Sequence, residues 1–155
     1  MIKIPKDVGN EEYAAIMKKE MLSLKSMKIN DVVFGDLLLE DVRKYRESNL
    51  SKIGMTAIFP LWGKNTQDLA KEFIDLGFKA IITCVDSTFL DDSYIGQLYN
   101  DDFLLSIPSN VDPCGENGEF HTFVYDGPIF SYPIEFKKGE IVFREDRFYY
   151  IDLIT

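Results

Sequence analysis

The sequence predicts an α/β protein, a parallel sheet covered on both faces followed by a smaller α+β unit, with the boundary near residue 87. Three observations carry that expectation. The apolar runs Val32-Val33-Phe34, Ala57-Ile58-Phe59 and Ala80-Ile81-Ile82 recur at intervals of 25 and 23 residues, the length of one strand plus one helix. The segments between them repeat with helical rather than alternating periodicity. Beyond residue 87 the period breaks into short runs separated by a loop rich in Gly, Pro and Asn.

Each element follows in order. Ile2-Lys3-Ile4 reads as a first strand. Tyr13, Met17, Met21 and Leu24 share one helical face, with Asn10 placed to cap the helix and Glu11 and Glu12 in its first turn. A second helix carries Leu38, Val42 and Tyr45. A third begins at Asn65 or Thr66, buries Leu69, Phe73 and Ile74, and stops at Gly77, where a positive φ costs little. After the third apolar run, residues 93–105 read as a helix and Phe120–Tyr125 as a strand. A meander follows over 131–136, 140–144 and 147–153, with turns at Lys137-Lys138-Gly139 and Glu145-Asp146.

Composition narrows the function classes. The net charge of −9 argues against nucleic acid as a partner. No apolar stretch reaches the ~18 residues of a membrane span, and Met1 opens a strand-like segment rather than a signal peptide. Two cysteines, Cys84 and Cys114, make no disulfide framework, so a cytoplasmic location is expected. With a lone His121 they also give too few ligands for zinc, and no metal site is read from the chain's own residues. The charge is unevenly spread: from Ala80 to Phe136 there is no Lys or Arg, but ten carboxylates and ten Phe or Tyr residues. A surface built from that stretch attracts cations, although charge runs are ordinarily solvated surface.

In open parallel sheets, ligands bind beyond the carboxyl ends of the strands. Three segments of this chain fall there. Gly35-Asp36 leads into Glu40 and Arg43, and Asp36, Glu40 and Arg43 at i, i+4 and i+7 share one helical face. The plainer alternative is an N-capping Asp36 and a surface Glu40–Arg43 pair. The others are Pro60-Leu61-Trp62-Gly63 and Cys84-Val85-Asp86, where packing alone would explain Trp62 and Cys84. The most unusual segment is Asp112–Phe123. Pro113, Gly115 and Asn117-Gly118 force a tight turn that crowds Glu116, Glu119, His121 and Thr122 together. A Cys114–His121 nucleophile pair is a further alternative, at a spacing that matches no known motif. No Gly-x-x-x-x-Gly-Lys-Ser/Thr or Gly-x-Gly-x-x-Gly stands anywhere in the chain, so no phosphate cradle is evident.

Four ordered motifs nevertheless form a pattern. They are Phe34-Gly35-Asp36-Leu37-Leu38-Leu39-Glu40-Asp41-Val42-Arg43-Lys44-Tyr45-Arg46-Glu47, Phe59-Pro60-Leu61-Trp62-Gly63, Thr83-Cys84-Val85-Asp86 and Asp112-Pro113-Cys114-Gly115-Glu116-Asn117-Gly118-Glu119-Phe120-His121-Thr122-Phe123. In order and spacing they resemble the diphthine–ammonia ligase family of N-type ATP pyrophosphatases, over residues 9 to 130. The resemblance implies a partial HUP-type (Rossmann-like) nucleotide-binding sheet in residues 1–87 and a family-specific α+β acceptor domain in 88–155. It implies ATP and magnesium as cofactors, and amide formation in which a carboxylate is adenylated and ammonia displaces AMP. On that reading Gly35, Asp36 and Glu40 lie on the nucleotide side. Glu116, Glu119 and His121 are the catalytic candidates. Arg43, Trp62, Asp86, Cys114, Gly115, Asn117, Gly118 and Thr122 line the acceptor pocket.

Two departures shape the expectation. Family members carry a Ser-Gly-Gly-x-Asp-Ser loop upstream of the region that this chain matches, and the chain lacks it. Ligases for diphthine also read Gly-Glu-Gly-Gly-Glu, an aromatic, then Glu, where this chain has Asn117 and His121, a pattern resembling a bacterial-type branch. The acceptor expected is a small molecule or modified residue, cationic in character because aromatic faces and carboxylates hold quaternary ammonium groups. His121, if it keeps the ordinary imidazole value, could move the proton of the attacking ammonia. Two readings stay open: an ATP-dependent carbon–nitrogen ligase, inactive as this chain alone, and a non-catalytic binding module that keeps only the acceptor pocket and covers its exposed sheet edge by self-association.

Overall fold

The computed structural model describes residues 9–154, so the expected strand at Ile2–Ile4 lies outside the described residues. The chain divides between Gly63 and Lys64 into two compact units, each described by itself. The α/β class holds, as a small parallel sheet in the first unit and an antiparallel sheet in the second.

In the first unit, helix α1 (Asn10–Ser26) leads to strand β1 (Asp31–Val33), helix α2 (Glu40–Ser51) and strand β2 (Thr56–Ile58). The strands pair in parallel, Val32 opposite Ala57, and the Phe34 N–H donates to the Ile58 carbonyl at 2.9 Å. α1 begins one residue from the expected cap: Gly9 holds the cap position, with no side-chain bond. Glu11 and Glu12 in its first turn and Lys25 in its last complement the helix dipole. α2 starts only at Glu40, capped by Leu39, so Leu38 and Asp36 stand before the helix. Its surface is laced by i,i+4 pairs, Glu40–Lys44 at 2.9 Å and Arg43–Glu47 at 2.8 Å. Leu37, Leu50 and Met55 are buried.

The second unit opens with helix α3 (Thr66–Asp75), whose Asn65 side chain accepts from the Asp68 N–H at 3.1 Å, and which ends at Gly77 as expected. Strand β3 (Lys79–Asp86) follows, then a 3₁₀ turn (Asp92–Tyr94), β4 (Leu98–Tyr99), α4 (Asp101–Ser106), β5 (Phe120–Asp126), β6 (Lys137–Arg144) and β7 (Phe148–Ile154). β3 is the hub, antiparallel to β5 along most of its length, to β4 at its start and to β7 at its end, with β6 outside β7. The core gathers Ala80, Ile82, Val85, Leu90, Tyr99, Phe103, Phe120 and Ile151 around it.

Four expectations are corrected here. The third apolar run is not a parallel strand beside the first two. A continuous apolar run reports burial on both faces, which a central antiparallel strand shares, and with β3 drawn into the second unit the compact units divide at 63/64 rather than near 87. Residues 93–105 are not one helix: Gly96 takes φ +74°, and Asn100 caps a new start by accepting from the Phe103 N–H at 3.0 Å. Residues 131–136 form no strand. Lys137-Lys138-Gly139 is no turn but part of β6, at a bulge where Gly139 lies against the Asp152 backbone, too close for a side chain to fit without displacement. The expected turn at Glu145-Asp146 is present, both residues at positive φ.

Candidate functional site

In the second unit, the loop from Asp112 to Glu119 is built around one carboxylate. Glu119 is fully buried, and its oxygens accept from the Asp112 N–H at 3.0 Å, the Asn117 N–H at 2.9 Å and the Asn117 side-chain amide at 2.9 Å. Burial pushes its pKa up, but the Asn117 amide and the surrounding N–H groups outweigh it and hold the group below the ordinary glutamate value. Asp112 closes the other half of the loop, its Oδ1 accepting from the Cys114 N–H at 2.8 Å and the Glu116 N–H at 3.3 Å. Gly115 and Gly118 supply positive φ, and at Gly115 a Cβ would stand 2.8 Å from the Phe120 carbonyl oxygen.

The loop forms one wall of a groove of about 490 Å³, to which Asp112, Pro113 and Asn117 contribute, opposite the start of α3 at Asn65–Gln67. Among the described residues no Lys or Arg lines it. Among the expected acceptor residues the structure thus brings Asn117 to this groove, and adds Asp112. It places the others differently. Glu119 faces inward as the loop's internal anchor. His121 and Thr122 are exposed on β5, where the His121 carbonyl accepts from the Thr83 hydroxyl at 3.3 Å. Cys114 donates its thiol to the Thr66 carbonyl at 3.3 Å, and burial, with the Asp112 and Glu116 charges behind it, pushes the thiol up to about 11. That is the reverse of an activated nucleophile, which removes the Cys114–His121 reading.

Asp86 is buried at the end of β3. Its Oδ1 accepts from the Thr88 N–H at 2.9 Å and hydroxyl at 2.7 Å, and its Oδ2 from Arg147 Nε at 2.8 Å. The Arg147 guanidinium, against the upward push of burial and helped by Thr88, holds the carboxyl at about 2. With these bonds made, Asp86 fastens β3 to the β6–β7 turn. The aromatics Tyr99, Phe103 and Phe120 of the base-free stretch pack on one another, with ring centroids 5.3–6.2 Å apart, inside the core. They are not the walls of a cation pocket.

In the first unit, the strand ends carry a ladder of rings and guanidinium groups. Arg46 lies 4.5 Å over Phe34, Phe34 stacks on Phe59 at 5.4 Å, and Arg43 lies 5.1 Å from Phe59 and 4.7 Å from Trp62. Asp36 does not share a helical face with Glu40 and Arg43. It meets Arg46 instead, accepting from Nη2 at 3.2 Å, with Nε at 2.7 Å from Oδ2 but off line. Glu40 turns to Lys44 on the surface, and Gly35 is exposed beside the ladder's first ring. Reasoning from sequence gave no role to Arg46, Phe34 and Phe59; the signal was there, since arginines at i and i+3 stand between two strand-end phenylalanines.

The match to a protein-family model falls on the unit that contains the Glu119 loop. The family model described as the diphthamide synthase C-terminal domain matches residues 65–153. The chain belongs to this family. Among curated diphthine–ammonia ligases, it is 32% identical to that of Bos taurus over 128 residues, 77% of this chain and 48% of the relative. It is 33% identical to that of Rattus norvegicus over 131 residues, and 29% identical to that of Schizosaccharomyces pombe over 117 residues, 19% of that longer protein. The chain thus spans about half the length of the mammalian relatives. The family resemblance carried by the four motifs is borne out. The family's matched region begins at residue 65, next to the division between the two compact units, so the diphthamide synthase C-terminal domain here is a structural unit as well as a sequence match. Among the described residues no helix is long and apolar enough to cross a membrane.

Proposed function

We propose that this chain serves an ATP-dependent, amide-forming ligase reaction of the diphthine–ammonia ligase type, with the second unit holding the acceptor. One observation carries the reading: within the family-matched region, a buried glutamate folds the Asp112–Glu119 loop so that Asp112 and Asn117 stand on the rim of a 490 Å³ groove. A groove of that size, largely preformed and lined by a few convergent polar groups, suits a small-molecule or side-chain acceptor. Asp112, with no Lys or Arg among the described residues that line the groove, favours a neutral or cationic acceptor over an anion.

Bound ATP with magnesium would supply activation of the acceptor carboxylate. The fit of this chain's own residues to that group is partial. The Arg43–Trp62–Phe59 ladder offers stacking surface on the side where Gly35, Asp36 and Glu40 were expected to serve the nucleotide. However, Asp36 is engaged by Arg46, and among the described residues no group of three carboxylates, His or Cys is placed to hold a metal. No catalytic step is therefore routed through the nucleotide on these residues. The chain's part is to bind and orient the acceptor, with the His121 side chain exposed on β5.

The test is paired. Titration of the purified chain with glycine betaine and with succinate, followed by amide chemical shifts, is expected to move Asp112, Asn117 and Gly118 for the betaine and not for the dianion. Pyrophosphate release from ATP and ammonium is expected to be absent from the 155-residue chain alone, because the electrostatic contacts of a phosphate loop are worth ~10²–10³ each in rate. Tighter binding of succinate refutes the acceptor assignment. Turnover abolished by Asp36→Ala refutes the view that the chain needs nucleotide contacts from elsewhere. The non-catalytic module is the second reading, favoured by the engagement of Asp36 by Arg46. Restoration of ATP turnover when a phosphate-loop segment is supplied separates the two.

A further inference from the structure

A second cavity, of about 300 Å³, lies wholly within the first unit between α1 and α2, away from the strand ends' stacked face of Arg43 and Trp62. Its walls come from two helical stripes that face each other without closing. Met17 and Met21 lie one turn apart on α1, Leu50 lies on α2, and the ring of Phe34 also borders the space. Methionine and leucine walls are apolar and adaptable, the composition of a site that accepts a flexible apolar body. Among the described residues the charges that line it are of one sign, Lys18, Arg46 and Lys52 with no carboxylate, although the chain as a whole carries a net charge of −9. Lys18 and Lys52 are exposed, so their ammonium groups reach water while their stems lie along the apolar wall. Arg46 is shared with Asp36, and Lys52 has only a long, 3.4 Å contact to Asn49 Oδ1.

We propose that this cavity binds a small amphipathic carboxylate, its apolar chain between Met17, Met21 and Leu50 and its head group at Lys18 and Lys52. The occupant is set by the combination of an apolar interior with a cationic, acid-free mouth. A neutral apolar molecule would leave the mouth charges unused, and a cationic one would be repelled. Its lining shares no residue with that of the groove in the second unit.

Calorimetric titration of the full 155-residue chain with octanoate, octan-1-ol and octylammonium tests this directly. Octanoate is expected to bind at one site about tenfold more tightly than octan-1-ol, with the preference shrinking as salt is raised; octylammonium is expected not to bind. The exposed double variant Lys18→Glu/Lys52→Glu is expected to lose the octanoate preference about tenfold while binding octan-1-ol unchanged, since two exposed ion pairs of up to ~1 kcal/mol are replaced by repulsion. Met17→Trp, which fills the interior, is expected to abolish binding of both. Equal affinity for all three ligands overturns the proposal, as does octanoate binding that survives the double charge reversal. Sedimentation showing self-association that the charge reversal abolishes, with no octanoate binding, would assign the cavity to a second copy of the chain instead and would likewise overturn it.

Discussion

The buried Glu119 carboxylate accepts from both the backbone N–H and the side-chain amide of Asn117, each at 2.9 Å, two residues back along the chain. Asn117 therefore stands where it does on the groove rim because Glu119 is ionised and inside. Replacing Glu119 by Gln keeps the shape but leaves one oxygen to do the accepting of two. The expected loss is about 1–3 kcal/mol in urea denaturation at neutral pH. Asn117→Ala should cost less, about 1 kcal/mol, and the double variant should cost less than the sum because the two share one interaction. If each single variant stays within ~0.5 kcal/mol of the parent, the loop is not organised in this way.

Acid should release the same structure in a definite window. Asp86 and Glu119 both have pKa values lowered in the folded state, Asp86 to about 2 by Arg147 and Thr88. A carboxyl depressed by folding contributes stability that is complete above its unfolded value near 4 and is lost as pH falls through the folded value. Stability is thus expected to be flat above pH 5 and to fall steadily from pH 4 toward pH 2. Arg147→Ala should flatten the part due to Asp86 and destabilise the protein at pH 7, since it leaves a buried carboxylate with Thr88 as its remaining donor. Thermal melts across pH measure both effects.

Cys114 should behave as a half-buried structural thiol. With its pKa pushed up to about 11 and its Sγ on the Thr66 carbonyl, it is expected to resist iodoacetamide at pH 7.5 in the folded chain and to react on unfolding, as mass spectrometry will read. Rapid modification of the native chain at that position contradicts the placement.

Gly115 and Gly118 should respond differently to alanine. Both hold positive φ, so each substitution carries about 1 kcal/mol of backbone strain. At Gly118 nothing lies within 4 Å of the added methyl group, whereas at Gly115 it meets the Phe120 backbone carbonyl at 2.8 Å. Gly115→Ala is therefore expected to lower the melting temperature by several degrees more than Gly118→Ala. Equal shifts would mean that strain alone, not the close approach of Phe120, decides that position.

Arg43→Ala removes the guanidinium that lies between Phe59 and Trp62, and Trp62 is the chain's lone tryptophan. The expected result is a red-shifted, more readily quenched emission together with a loss of about 0.5–1 kcal/mol. Arg43→Lys should recover little of it, because an ammonium group cannot stack flat on either ring. An unchanged spectrum in Arg43→Ala contradicts the ladder.

Much of the local structure could be read directly. Helical periodicity located α1, α2 and α3 to within a turn, and Asn65 and Gly77 marked the ends of α3 because capping and positive φ are properties of single residues. The Asp112–Glu119 turn was visible in its Gly, Pro and Asn content. Its inner logic was not: Glu119 looks like any loop acid until the neighbouring N–H groups are seen to converge on it. Likewise, Lys137-Lys138-Gly139 has the composition of a turn, and only the nearness of Asp152 shows it to be a bulge within β6.

What the sequence determined by itself is the first three helices, the apolar strand runs and the family to which the chain belongs, since these depend on residue type and spacing along one chain. Only the tertiary structure decided that β3 lies antiparallel in the second unit, that Glu119 points inward while Asp112 and Asn117 face the groove, and that Asp36 meets Arg46 rather than Glu40 and Arg43. An apolar run states that a strand is buried but not which way its neighbour runs, and a carboxylate in a turn states that a charge exists but not which donors reach it. Strand partners and hydrogen-bond donors distant in the chain are chosen in three dimensions, where desolvation of each buried polar group must be matched by a partner.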